Sequence, residues 1–147
     1  MSPGRLDDAV VRRHLFSIDD AVRNLRRHQG KAADLLASSR DELWSVERGL
    51  QLCAQNVLDV ATHIAASAGR EVPDYGSAID RLGEMGILPR DFAARLRAIA
   101  GFRNVIVHGY LEVDVRTVHA LLNQRLEDFT EFAFLVDQYL RALPADG

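Results

Sequence analysis

The chain has a single cysteine, Cys53, which excludes an intrachain disulfide and any metal cage built on several thiolates. Set among Leu, Ala and Val, it reads as a small buried hydrophobe. Long apolar runs are missing as well, and with them a membrane-spanning helix. The first twenty residues, MSPGRLDDAVVRRHLFSIDD, are cut by charges every few positions and lack the apolar centre of a secretory signal, so a cytoplasmic protein is expected. Prolines are few, which leaves room for long helices, and no alternating strand pattern stands out except the short YLEVDV at 110–115. Strong net charge is absent too: −3 overall gives no global attraction to nucleic acid.

What is there fits one domain over 1–147, long enough for a single hydrophobic core, with 48% hydrophobic and 27% charged residues. The charge is uneven. Residues 1–31 carry seven Lys/Arg against four Asp, and the rest of the chain is acidic. Arg12, Arg13, Arg23, Arg26, Arg27 and Lys31 form a basic surface compatible with RNA contact, although a solvated helix face gives the same pattern.

Helical spacing organises the chain. Leu6, Val10, Leu15, Ile18, Ala21, Val22 and Leu25 mark an amphipathic helix ending near Gly30. Ser39 and Glu42 read as a capping box, opening a long helix to about Gly69. Its apolar stripe is Leu43, Val46, Leu50, Cys53, Val57, Val60, Ala61 and Ile64, and its other side carries Glu47, Gln51, Gln55, Asp59 and His63. After the connection at 69–76, Ser77 starts a short helix over 78–85, Pro89 opens another over about 90–108, and Gly109 stops it. Asp114 caps a last helix to about Leu143. The economical fold is all-α, an antiparallel bundle of about five helices.

One stretch asks for chemistry: GFRNVIVHGY at 101–110 sets an arginine, an asparagine and a histidine in an otherwise apolar run. On a helix, Asn104 and His108 lie one turn apart on one face, with Arg103 beside Asn104, making a polar edge at a helix end. A histidine titrates near neutral pH and can move the proton of an RNA 2′-hydroxyl or of the leaving oxygen. An arginine can hold two phosphate oxygens and stabilise a pentavalent transition state, while the asparagine orients either partner. RNA supplies its own nucleophile, so no metal and no cofactor are called for. Spacing alone leaves a structural role open, because the dipole also favours a histidine at a helix C-terminus.

The string RNVIVHGY, Arg103-x4-His108-x-Tyr110, resembles the signature of the HEPN superfamily in its HepT-like branch, the ribonuclease toxins paired with a nucleotidyltransferase (MNT-type) antitoxin. ERGLQLCAQNVLDVATHIAASAG, VPDYGSAIDRLGEMGILP and RLRAIAGFRNVIVHGYLEVD follow that branch's pattern in order, over about residues 43–140. The resemblance implies a metal-independent endoribonuclease toxin of a type VII-like pair, with tRNA among its candidate substrates. It further implies that Arg103 and His108 form the catalytic pair, supported by Asn104, at a cleft shared by a homodimer. Tyr110 falls on the tyrosine to which the antitoxin transfers AMP, silencing the nuclease. A rival is a non-catalytic helical partner subunit of a nucleotidyltransferase; a purely structural dimerisation protein would leave the polar edge unexplained.

Elsewhere, Asp59 and His63 resemble half a metal site without a third ligand and read as a surface or interface pair, on a stripe that could face the dimer partner or line the cleft. His14, His28 and His119 read as solvent-facing, and Trp44 with the phenylalanines of the last helix as core.

Overall fold

The computed structural model describes residues 6–108 and 114–144, with the backbone alone for 104–108. Among the described residues every regular element is helical. The expected stop at Gly109 and the stretch 110–113 lie outside the described residues.

The first helix, α1 (Asp8–Arg26), begins where the Asp7 carboxylate accepts from the Val10 N–H, and it turns away before Gly30, whose φ of 87° suits only glycine well. Its buried positions Val11, Leu15, Ile18, Val22 and Leu25 form one stripe. A short helix, α2 (Ala33–Ser38), buries Leu36 and was not legible in the apolar spacing. The Ser39 hydroxyl then accepts from the Glu42 N–H at 3.3 Å, opening α3 (Arg40–Ser67). Only half of the expected capping box forms, because the Glu42 carboxylate turns to His28 at 2.7 Å and to Lys31.

The central element is α3. Besides the expected stripe it buries Ala54, Leu58 and Ala65 on an adjoining face, so neighbours cover it from several sides: α1, α4 (Tyr75–Glu84), α6 (Ala98–His108) and α8 (Leu126–Ala142) all pack on it. Between α1 and α3 the approach is close, since a Cβ at Gly49 would come within 2.7 Å of Leu25. Phe129 and Phe132 of α8 complete the core, fully buried.

Other expectations need correction. The helix after the 69–76 connection starts at Tyr75, not after Ser77: the Asp74 carboxylate accepts from the Ser77 N–H at 2.8 Å and caps it three residues earlier. The single helix expected over 90–108 is two, α5 (Arg90–Leu96) and α6, with Arg97 between them. There the Ala100 N–H donates to the Arg97 carbonyl in a tightened turn, while the Arg97 guanidinium pairs with Asp80 and lies against Gly76. The last helix is also interrupted: Asp114 caps α7 (Val115–Ala120), accepting from the Arg116 N–H at 2.9 Å, and a π-helical turn at Leu121–Arg125 precedes α8. The Gln29 amide donates to the Leu122 carbonyl at 2.9 Å, and the Asn123 side chain accepts from the Gly30 N–H, drawing that turn out of the regular ladder. Finally, Trp44 is 57% exposed, with the Arg40 guanidinium 4.9 Å from its ring centre, because position 44 falls beside the apolar stripe, and Phe134 of α8 is exposed as well, off the face that buries Phe129 and Phe132.

The three histidines read as solvent-facing are half-buried and partnered. His14 meets Asn56 at 2.7 Å, His28 meets Glu42, and His119 meets the Lys31 carbonyl at 2.9 Å. Each sits against another part of the fold, where a half-buried ring nitrogen must find a polar partner. No helix among the described residues is long and apolar enough to cross a membrane.

Candidate functional site

Arg103 lies on α6 facing the polar side of α3, and it is half-buried. Its Nε donates to Gln55 Oε1 at 2.8 Å, and its guanidinium carbon stands 5.1 Å from the centre of the Tyr75 ring. Gln55 in turn donates through Nε2 to Asp59 Oδ1 at 2.8 Å, with the Tyr75 hydroxyl 3.4 Å away. A polar cluster therefore joins one turn of α3, the start of α4 and the middle of α6. The local reasons are in the sequence. Gln55 and Asp59 are four apart and share a helix face, and the Asp74 cap fixes the first residue of α4 as Tyr75.

Of the other expected site residues, Asn104 and His108 fall on α6, His108 as its last residue. Their side chains lie outside the described residues, and so does Tyr110. The helix that carries the motif is thus the one that delivers Arg103 to the cluster.

Asp59 and His63 part company. While Asp59 takes the Gln55 amide, His63 Nε2 accepts from the Asp7 N–H at 3.1 Å, fastening the start of α1 to α3. Among the described residues no group of three or more His, Cys, Asp or Glu is arranged to hold a metal ion.

The basic N-terminal set is largely engaged with the protein itself. Arg12 pairs with Asp8 and Asp137, Arg23 with Asp19, Arg26 with Glu127 and Lys31 with Glu42, while Arg27 donates to Asn24. That favours a helix face with internal partners over a dedicated backbone-binding strip.

Reading the sequence placed Gln55 only on a polar stripe that could line a cleft, and gave Tyr75 no role. The signal was faint: an i, i+4 polar pair on a long helix looks like any solvated edge, and the tyrosine follows a proline-containing connection.

Comparison with known proteins adds the lineage. A family model described as Ribonuclease HepT-like matches residues 18–135. A tRNA nuclease HepT of Aphanizomenon flos-aquae is 24% identical over 144 residues, covering 97% of this chain and 97% of that protein. An mRNA nuclease HepT of Shewanella oneidensis is 28% identical over 89 residues, or 60% of this chain and 67% of that one. In shape, the tri-AMPylated HEPN toxin of Shewanella oneidensis, solved in complex with its MNT antitoxin, matches at a TM-score of 0.79 and 21% identity, over 90% of this chain and 98% of that one.

Proposed function

The chain belongs to the HepT-like ribonuclease family, and on that footing we propose that it is a metal-independent RNA endonuclease, the toxin half of a pair whose other half is an MNT-type nucleotidyltransferase. The observation that carries the reading is the family match over residues 18–135 together with Arg103-x4-His108 on the helix that presents Arg103 to the α3–α4 cluster. In this mechanism the 2′-oxygen of RNA attacks the adjacent phosphorus, the phosphorus–5′-oxygen bond breaks, and the products are a cyclic phosphate and a 5′-hydroxyl. His108 takes the 2′-proton or delivers one to the leaving oxygen. The Arg103 guanidinium binds the non-bridging oxygens as negative charge builds on them, and Asn104 orients the phosphate.

Two copies of α6 meeting across a two-fold axis would give one cleft with two such edges, a closed and self-complementary arrangement. The same reading makes Tyr110 the regulatory residue. Its phenolic oxygen attacks the α-phosphorus of a nucleoside triphosphate held by the antitoxin, pyrophosphate leaves, and the adenylate adds bulk and negative charge beside the place of the substrate phosphate.

The decisive experiment is His108→Ala. Cleavage of total RNA, assayed with chelator present, should fall by about 10²- to 10⁴-fold while far-UV dichroism keeps the helical signal of the parent. Cleavage at the parental rate would sink the mechanism, and loss of parental cleavage on adding chelator would overturn its metal independence. If AMP transfer regulates the protein, mass spectrometry after co-expression with the antitoxin finds the adduct on Tyr110; an adduct elsewhere would remove that claim.

A further inference from the structure

The geometry points to Asp59, Gln55 and Tyr75 as positioning residues that hold the Arg103 guanidinium for its reaction, an inference that rests on the catalytic reading of Arg103.

An arginine is a poor catalytic group until something stops it moving. Its long stem is rich in rotamers, whereas a transition-state contact tolerates displacements well under an ångström. Here two contacts act on different parts of the group. Gln55 Oε1 accepts from Nε, the nitrogen nearest the stem, at 2.8 Å. That contact fixes the plane where it joins the side chain. The Tyr75 ring, 5.1 Å from the guanidinium carbon, supplies a face that fixes the plane's tilt through cation–π attraction.

Asp59 decides which end of Gln55 meets the arginine. A carboxylate only accepts, so the Gln55 NH₂ must face Asp59, 2.8 Å away, and the carbonyl oxygen must then face Arg103. The Tyr75 hydroxyl, 3.4 Å from the same nitrogen, agrees with that assignment. Gln55 without Asp59 could turn over and offer a donor to a donor.

The choice of a neutral amide also has a consequence. Glutamate at 55 would accept the same bond but bring a negative charge beside the guanidinium, competing with the phosphate for it. A neutral acceptor adds orientation without that competition.

The test is a double-mutant cycle on RNA cleavage. Gln55→Leu should lower kcat by about ten- to a hundredfold, with KM within about twofold, and should cause no further loss in an Arg103→Lys background. Gln55→Glu should also lower kcat although it keeps the hydrogen bond, and Tyr75→Leu should lose more than Tyr75→Phe. Parental kcat in Gln55→Leu, or an equal fold-loss in both backgrounds, would overturn the proposal. Thermal midpoints check that each variant folds. If Gln55→Leu does not, Asp59→Asn stands in for it, with a smaller loss in the same direction that again vanishes beside Arg103→Lys; parental kcat or an additive loss there overturns the proposal equally. Arg103→Lys retaining full activity is a separate outcome: it defeats the catalytic reading of Arg103 itself, and the positioning role with it.

Discussion

Cys53 sits fully buried on α3, and burial pushes its thiol up to about 12, because the surrounding Leu, Val and Ala side chains cannot solvate a thiolate. The native protein should therefore resist alkylation at pH 8 and take up one equivalent of reagent once denatured, as read by mass spectrometry. Rapid labelling of the folded chain would show that α3 is not covered as described. At this scale the sequence was informative where chemistry is local. Arg103, Asn104 and His108 stand on one stretch of one helix, so their spacing alone sufficed to name them as candidates. Gln55 reaches Arg103 across 48 residues, and no local spacing encodes such a pairing. The same limit hid the partners of His14, His28 and His119, which lie far along the chain or in another element.

Two helix starts announced themselves through single residues, Ser39 and Asp114 capping as expected, whereas Ser77 gave way to Asp74. Interruptions did not, because their causes lie elsewhere in the fold. Asp80 and Gly76 of α4 receive Arg97 at the break between α5 and α6, and Gln29 takes the Leu122 carbonyl at the π-helical turn. Two glycines separate helix propensity from packing. Gly101 stands exposed on α6, and a methyl group added there would meet nothing within 4 Å, so Gly101→Ala should stabilise by about 1 kcal/mol. At Gly49 the added carbon would come 2.7 Å from Leu25 Cδ2 and 2.9 Å from its Cγ, inside the α1–α3 contact. Overpacking of about 1–3 kcal/mol should there cancel or outweigh the propensity gain, leaving Gly49→Ala less stable than Gly101→Ala in urea titrations. The reverse order would mean that α1 moves aside freely.

Several carboxylates that tie the bundle together titrate low. Asp137 is held below the usual carboxylate range chiefly by its hydrogen bond from Arg12, which links α8 to α1; Glu42 is held low by Lys31 and then His28; Asp74 is held low by the Ser77 N–H. A depressed folded value means that the stabilisation is complete above the unfolded value, about 4, and disappears as pH falls through the folded one. Thermal midpoints should thus hold from about pH 6 down to 5 and drop steeply below about 4. Asp137→Asn should start from a lower midpoint and show a shallower acid drop. Parallel curves for parent and variant would remove Asp137 from that account. Overall architecture was the most legible level, since periodicity and caps specify an all-helical chain whatever the partners of each side chain.

The pairing of α1 with α8 also bears on the order of synthesis. Arg12 reaches Asp137 across 125 residues, and Arg26 reaches Glu127 across 101. On the ribosome, α1 and α3 emerge early and can join, yet the apolar surface that Phe129, Phe132 and Val136 help to close must wait for the last helix. A nascent chain stalled before α8 would carry that surface open to water, so the interval before α8 emerges is when aggregation is easiest.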